Sequence, residues 1–189
     1  KNPALWLLII MAGFFVIAAG MMQQFSSYAS TGALGAAVGA MGVTVCMIGQ
    51  LFGKFGLGWL CDHTGARVSG VVASIFGAAG IAIVLFSVDN AMMFYVGVFL
   101  FGIGFAALNI VPPMACRQAF GQKDYANIFS MVATGLNVFS GFSALIYAQI
   151  FDITGSFAGC FYLIIGFYVV TLICSLVIVP MGRRSWAKK

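Results

Sequence analysis

Six apolar stretches, each about 20 residues or longer, lie at 4–25, 34–60, 68–88, 92–114, 128–150 and 157–179, with short polar connections between them. A helix rises about 1.5 Å per residue, so each stretch can cross a hydrocarbon core of about 30 Å. In that solvent every backbone N–H and C=O has to be satisfied within the segment, which selects helices. The predicted fold class is an all-α membrane protein with six transmembrane helices forming a single domain, 1–189. Composition agrees, because 62% of the residues are hydrophobic and 7% are charged, too few charges to cover a water-facing surface. The first run is too long for a secretory signal, lacks a small-residue cleavage pattern, and precedes five more spans. The chain begins on Lys1, and we expect it to be a piece of a longer protein.

Charge placement predicts orientation. Lys1 precedes the first run, Lys54 and Arg67 flank the second connection, Arg117 and Lys123 lie in the fourth, and Arg183, Arg184, Lys188 and Lys189 form the tail. All nine cations thus fall on one side, while the opposite connections, 26–31, 87–90 and 152–156, carry only Asp89 and Asp152. The positive-inside rule then puts both termini, and Gln122, in the cytoplasm and Asn90 outside, in a plasma (cell inner) membrane. On this reading the net charge of +5 reflects topology, the expected partner is membrane lipid, and no nucleic-acid surface is implied. The GRRSWAKK tail reads as an orientation anchor ahead of a calmodulin-like or lipid-binding segment.

The residues argue against catalysis and against cofactors. Cys46, Cys61, Cys116, Cys160 and Cys174 are scattered with no CxxC spacing, and His63 is the lone histidine, so no metal site is expected. Paired intramembrane carboxylates, HExxH, GxSxG and a phosphate loop are all missing, so no enzyme is expected. Glycines such as Gly97, Gly102 and Gly104 read as sites of close helix approach.

The segment GWLCDHTGAR concentrates rare polar residues between the second and third runs. It contains Gly58, Asp62, His63, Gly65 and Arg67, with Lys54 just upstream, in a chain that has no Glu. An echo, AQIFDITGSF, follows the fifth run and repeats a small residue (Gly58, Ala148), Asp (Asp62, Asp152) and Thr-Gly (Thr64-Gly65, Thr154-Gly155). Three spans separate the copies, which puts them on opposite membrane faces, as a 3+3 inverted repeat requires. The alternative is a generic DxTG turn that caps the next helix.

The GxxxDxxGxR pattern resembles the signature loop between the second and third helices of each half of a major facilitator superfamily transporter. Pro112 and Pro113, expected to break the fourth helix, are followed by RQAFGQKDYANIFS, and this segment together with FDITGSF is similar to the oxalate/formate antiporter and monocarboxylate transporter branches. The resemblance spans the chain and implies the C-terminal six-helix half of a twelve-helix carrier. Its partner would be the missing N-terminal half or a second copy. The resemblance also implies a gating role for Gly58, Asp62, Gly65 and Arg67, with Asp62 touching the opposite half; by its position Asp62 can also cap the N-terminus of the third helix and pair with Arg67.

Substrate contacts must be polar and at membrane depth. Lys54 lies two helical turns, about 12 Å, before Asp62 on the same helix, where a lysine costs roughly 2.5–3.5 kcal/mol unless it faces water, a partner or a ligand. The alternative is that its long stem snorkels to the interface. In the monocarboxylate branch the similar helix carries an Asp and an Arg four apart, and Gln50 and Lys54 stand at the matching positions, so the resemblance keeps the cation and loses the carboxylate. On the fifth helix Asn137, Ser140 and Tyr147 recur at helical spacing and could share a cavity face; Asn109 lies beside the prolines, and Gln23 with Gln24 and Tyr28 ends the first helix.

The function this implies is secondary active transport of a small organic anion, monocarboxylate or oxalate/formate-like, by alternating access. One buried cation suits a monoanion. Asp62, Asp89, Asp124 and Asp152 all fall in connections or at helix ends, so no carboxylate here is expected to relay a proton. The runner-up is a sugar or other small-solute facilitator half, since the QQ pair resembles that of sugar porters. A noncatalytic membrane fragment or assembly subunit is the third reading.

Overall fold

A computed structural model of the chain describes residues 3–87, 90–121 and 125–186, with side chains described for 5–178 among them. The expectations placed on Lys1, Asp89, Gln122, Lys123, Asp124, Lys188, Lys189 and the side chains of Arg183 and Arg184 lie outside the described residues. The six predicted spans are six helices: α1 (Pro3–Thr31), α2 (Ala36–Thr64), α3 (Ala66–Phe86), α4 (Ala91–Phe120), α5 (Tyr125–Thr154) and α6 (Ala158–Trp186). Each is long and apolar enough to cross a membrane, and no strand occurs among the described residues. Most helices overrun their apolar stretch by one or two turns, because the backbone ladder continues into the interface after hydrocarbon-compatible side chains stop. Gln23 therefore does not end the first helix: α1 runs eight residues further, to Thr31.

α4 is the structural centre, packed along α2 on one flank and α3 on the other. Small residues allow this. A methyl group at Gly102 would fall on the Cys46 carbonyl oxygen and 2.9 Å from the Gln50 nitrogen, both on α2. On the other flank, Gly104 lies against Gly77 of α3, and Gly97 and Gly80 against each other's backbones. The expected close approach at Gly97, Gly102 and Gly104 is thus the basis of both interfaces. With lipid as apolar as leucine, such contacts hold helices by dispersion, not by water exclusion. Hydroxyls add bonds between helices: Ser74 on α3 meets Thr171 on α6 at 3.0 Å, and Ser69 of α3 donates to the Leu57 carbonyl of α2 at 3.1 Å.

The helix pairings show the internal repeat. Exchanging α1–α3 with α4–α6 maps each touching pair onto a touching pair, α2–α4 onto α5–α1 for example and α1–α4 and α3–α6 onto themselves, except that α4–α6 has no α1–α3 counterpart. The DxTG copies obey the same exchange and build the same helix end. Thr64 donates its hydroxyl to the Leu60 carbonyl at 2.7 Å and Thr154 to Ile150 at 2.6 Å. The following glycine N–H groups donate to Cys61 at 2.9 Å and Phe151 at 2.8 Å. Gly65 and Gly155 adopt φ of +90° and +62°, a region where a Cβ is strained. The motif therefore terminates the preceding helix instead of capping the next one.

α4 is continuous through Pro112 and Pro113, contrary to the expected break. Proline removes the N–H that would serve the carbonyl four residues earlier, here Leu108 and Asn109, yet neighbouring helices keep the segment helical.

Candidate functional site

Gln50, Lys54, Gly58 and Asp62 recur every four residues on α2 and form one slowly drifting stripe, about 18 Å long, from membrane depth to the helix end. Lys54 stands ten residues, about 15 Å, before the end of α2 at Thr64. The chain's own helices leave this stripe largely uncovered: Lys54 and Asp62 are exposed, Gln50 and Gly58 are half-buried, and a side chain at Gly58 would meet nothing within 4 Å. Two residues expected to bind substrate, Gln50 and Lys54, and two expected to gate, Gly58 and Asp62, are thus contiguous along one helix.

The other predicted residues divide. Asn109 on α4, Asn137 and Ser140 on α5 and Gln23 on α1 are exposed. α2 and α5 make no contact, so Lys54 and Asn137 belong to separate walls with α1 and α4 between them. Tyr147 does not share the exposed side with Asn137 and Ser140. It is 1% exposed, and its hydroxyl donates to the Ile17 carbonyl of α1. The reason is local: Gly135, Phe139, Ser143 and Tyr147 repeat every four residues and form the stripe that α5 lays on α1, over Ile9, Gly13 and Gly20. Tyr147 is a scaffold residue. Tyr28 likewise is built into a ring cluster with Phe94, Phe157 and Phe161.

The turn after the stripe corrects one expected role and adds a residue. α3 begins at Ala66, directly after Gly65, so Asp62 lies in the last turn of α2 and its carboxylate does not cap α3. Nor is an ion pair with Arg67 formed among the described residues, where both side chains are exposed. The α3 N-terminus is served instead by Gln118, whose Oε1 accepts from the Ala66 N–H at 3.1 Å across fifty-two residues of sequence. No local spacing signals that contact; it exists because the end of α4 packs beside the α2–α3 turn. Asp62 at a helix C-terminus and Arg67 at a helix N-terminus both oppose the helix dipole. Local helix stability therefore does not account for either charge.

Gln118→Ala is accordingly expected to destabilise the helical unit by about 1 kcal/mol, the usual worth of an N-terminal cap, whereas Asp62→Asn is expected to cost nothing and, by relieving the clash with the helix dipole, to stabilise it slightly. Thermal unfolding of the two variants in detergent checks this; a larger loss in Asp62→Asn would restore the carboxylate as the cap.

A cavity of about 480 Å³ lies where α4 meets α5, lined by Pro113, Met114, Arg117 and Tyr125. Its lining contains none of the residues expected to bind substrate. Arg117 stands in the last turn of α4, where a cation favours the helix dipole.

No family model and no curated protein matches the chain. Among solved structures it is similar to one described as the crystal structure of an auto-inhibited POT family peptide transporter, with a TM-score of 0.72 at 20% identity. The match covers 97% of this chain and 37% of that one. The chain shares its six-helix fold with part of that transporter. At this identity the likeness concerns the path of the backbone, and the shared six-helix fold is what it establishes. The chain spans well under half the length of the transporter it matches.

Proposed function

We propose that the chain is one half of a secondary carrier that moves a small organic anion across the membrane by alternating access, with Lys54 as the cation that holds the substrate carboxylate. The observation that carries this reading is a lysine about 15 Å inside an apolar helix, on a face that the chain's own helices leave open. Gln50, one turn away, offers an amide to the same ligand, and Asn109, Asn137, Ser140 and Gln23 supply further polar groups on exposed helix faces. Gly58, Asp62, Gly65 and Arg67 act as the gate, meeting the opposite half instead of each other. Six helices supply one wall of the cavity. Only 11% of the most apolar stretch of α5 and 28% of that of α2 are buried, against 50% for α1, so these two helices are the ones left to face a missing N-terminal half or a second copy.

A peptide presents the same terminal carboxylate, and the fold shared with a peptide transporter favours dipeptides as the second reading. Sugar uptake is the reading without a charge requirement. Competition by monocarboxylates, dicarboxylates, dipeptides and sugars in reconstituted vesicles separates the three: monocarboxylates are expected to compete best, and equal competition by sugars overturns the anion assignment.

Topology is a separate expectation. Cysteine labelling is expected to reach position 90 from outside, and Gln122 and the C-terminal tail from the cytoplasm. Labelling of position 90 from the cytoplasm overturns the proposed orientation.

A further inference from the structure

The cavity at the junction of α4 and α5 has a lining that the carrier reading leaves unused. It holds about 480 Å³ between Pro113, Met114, Arg117 and Tyr125. Sites for small organic molecules measure about 300–1,000 Å³, and a single inorganic ion needs far less room. The positive-inside bias and the helix dipole account for a cation at position 117. They do not account for the space beside it, nor for the side chains that wall it.

Each wall contributes something different. Pro113 has no N–H and offers only a hydrocarbon ring. Met114 adds a polarizable thioether that adapts to the shape against it. Tyr125, the first residue of α5, is half-buried and stacks on Phe129 one turn later, with ring centroids 5.5 Å apart and planes within 6°, which steadies the phenol. Arg117 is exposed, and a guanidinium carries five N–H donors, enough to hold a carboxylate while keeping other partners. No acidic side chain stands among the four lining residues. One cation, one phenol hydroxyl and apolar walls match a carboxylate on a small apolar body.

The position relates the cavity to the residues expected to bind substrate. Asn109, Pro113 and Arg117 recur every four residues and share one face of α4. α2 and α4 run in the same direction, and Gly53 lies against Ile103 and Ala106, so Lys54 stands near the level of those two residues. Arg117 lies eleven to fourteen residues beyond them, roughly 16–21 Å towards the end that the two helices share. Lys54 and Arg117 are thus exposed cations at two depths.

We infer that the cavity is a second anion site, which takes a small organic carboxylate through Arg117 and Tyr125. That its ligand is the transported anion rests on the carrier reading; the existence of the site does not. An anion leaving Lys54 towards this end meets Arg117 next, and one arriving from the water on this side meets it first.

Removing the other cation isolates the site. In the full chain carrying Lys54→Gln, in detergent, binding of para-fluorobenzoate is followed by the broadening of its fluorine NMR line. One equivalent is expected to bind. Adding Arg117→Gln is expected to weaken that binding about 10-fold or more, the effect of losing one charge-assisted bond. Adding Met114→Trp instead keeps the cation and fills the space, and is expected to weaken it as much. Neutral para-fluorobenzyl alcohol, of the same shape, is expected to bind far more weakly. Thermal unfolding is read beside each variant, and Arg117→Gln, at an exposed position, is expected to match its parent. Absence of binding to the Lys54→Gln chain overturns the site. So does binding that Arg117→Gln leaves unchanged, or that a folded Met114→Trp leaves unchanged. Displacement by inorganic phosphate or by a short-chain phosphatidylglycerol as readily as by unlabelled benzoate marks a phosphate site and overturns the carboxylate assignment. The carrier reading is decided separately, by what Lys54→Gln alone does to the assembled carrier.

Discussion

In the assembled carrier, Lys54→Gln is expected to weaken binding of monocarboxylates by about 10- to 100-fold. A charge-assisted hydrogen bond between an ammonium and a carboxylate contributes roughly 1.5–3 kcal/mol, and glutamine retains the hydrogen bond but not the charge. Neutral solutes are expected to lose far less, and Lys54→Arg to recover part of the affinity, because the guanidinium keeps the charge with altered geometry. The structure makes this a clean comparison. Lys54 is exposed on α2 and is not part of the packed core, so the variant is expected to unfold at the temperature of the parent. Equilibrium binding of a monocarboxylate and of a sugar to parent and variant, read beside thermal unfolding, decides the matter. Unchanged affinity for every solute would mean that Lys54 snorkels to the interface, and the anion assignment would fall with it.

The second large effect is expected at Gly102, far from any charge. Gly102→Leu places a branched side chain where the Cys46 carbonyl oxygen and the Gln50 nitrogen of α2 already stand. Contacts with backbone cannot be relieved by a rotamer change, so α2 has to move away from α4 along its whole contact. Overpacking of this kind costs about 1–3 kcal/mol in well-packed cores, and here the neighbour that must yield is a helix. The displaced segment includes Gln50, one turn from Lys54, so substrate affinity is expected to fall together with stability. Gly141→Leu on α5, where a side chain meets nothing within 4 Å, is the matched control and is expected to be tolerated. Thermal unfolding of the pair checks the packing account; equal stabilities would show that α2 and α4 are not held by this contact.

The two positions show how differently features of one chain can be read. Gly102 was visible as a small residue in a long apolar run, and its role in close approach follows from the absence of a hydrophobic driving force in lipid. Which helix it approaches was not visible, because glycines on α4 serve α2 on one flank and α3 on the other. Lys54 was visible because a charge at membrane depth is expensive, and its open position on α2 is consistent with that reading. Tyr147 was misplaced because its spacing from Asn137 and Ser140 was read as a shared face. The stripe that α5 presents to α1 claims Tyr147 and leaves the other two outside. Asp62 was given the capping role because it stands in the connection that leads into the third helix, whereas the cap comes from Gln118 on a helix distant in sequence.

By itself the sequence determined six membrane-length helices and the paired Thr-Gly helix ends of its repeat. Each of these depends on segment length or on hydrogen bonds within one turn, and such terms are written in consecutive residues. The tertiary structure alone decided which faces pack, which polar groups are consumed in holding helices together, and which stay open for a ligand, a lipid or a partner. In water an amphipathic pattern would have announced those faces in advance. In a bilayer the buried and the lipid-facing sides are equally apolar, so only the fit of one helix against the next tells them apart.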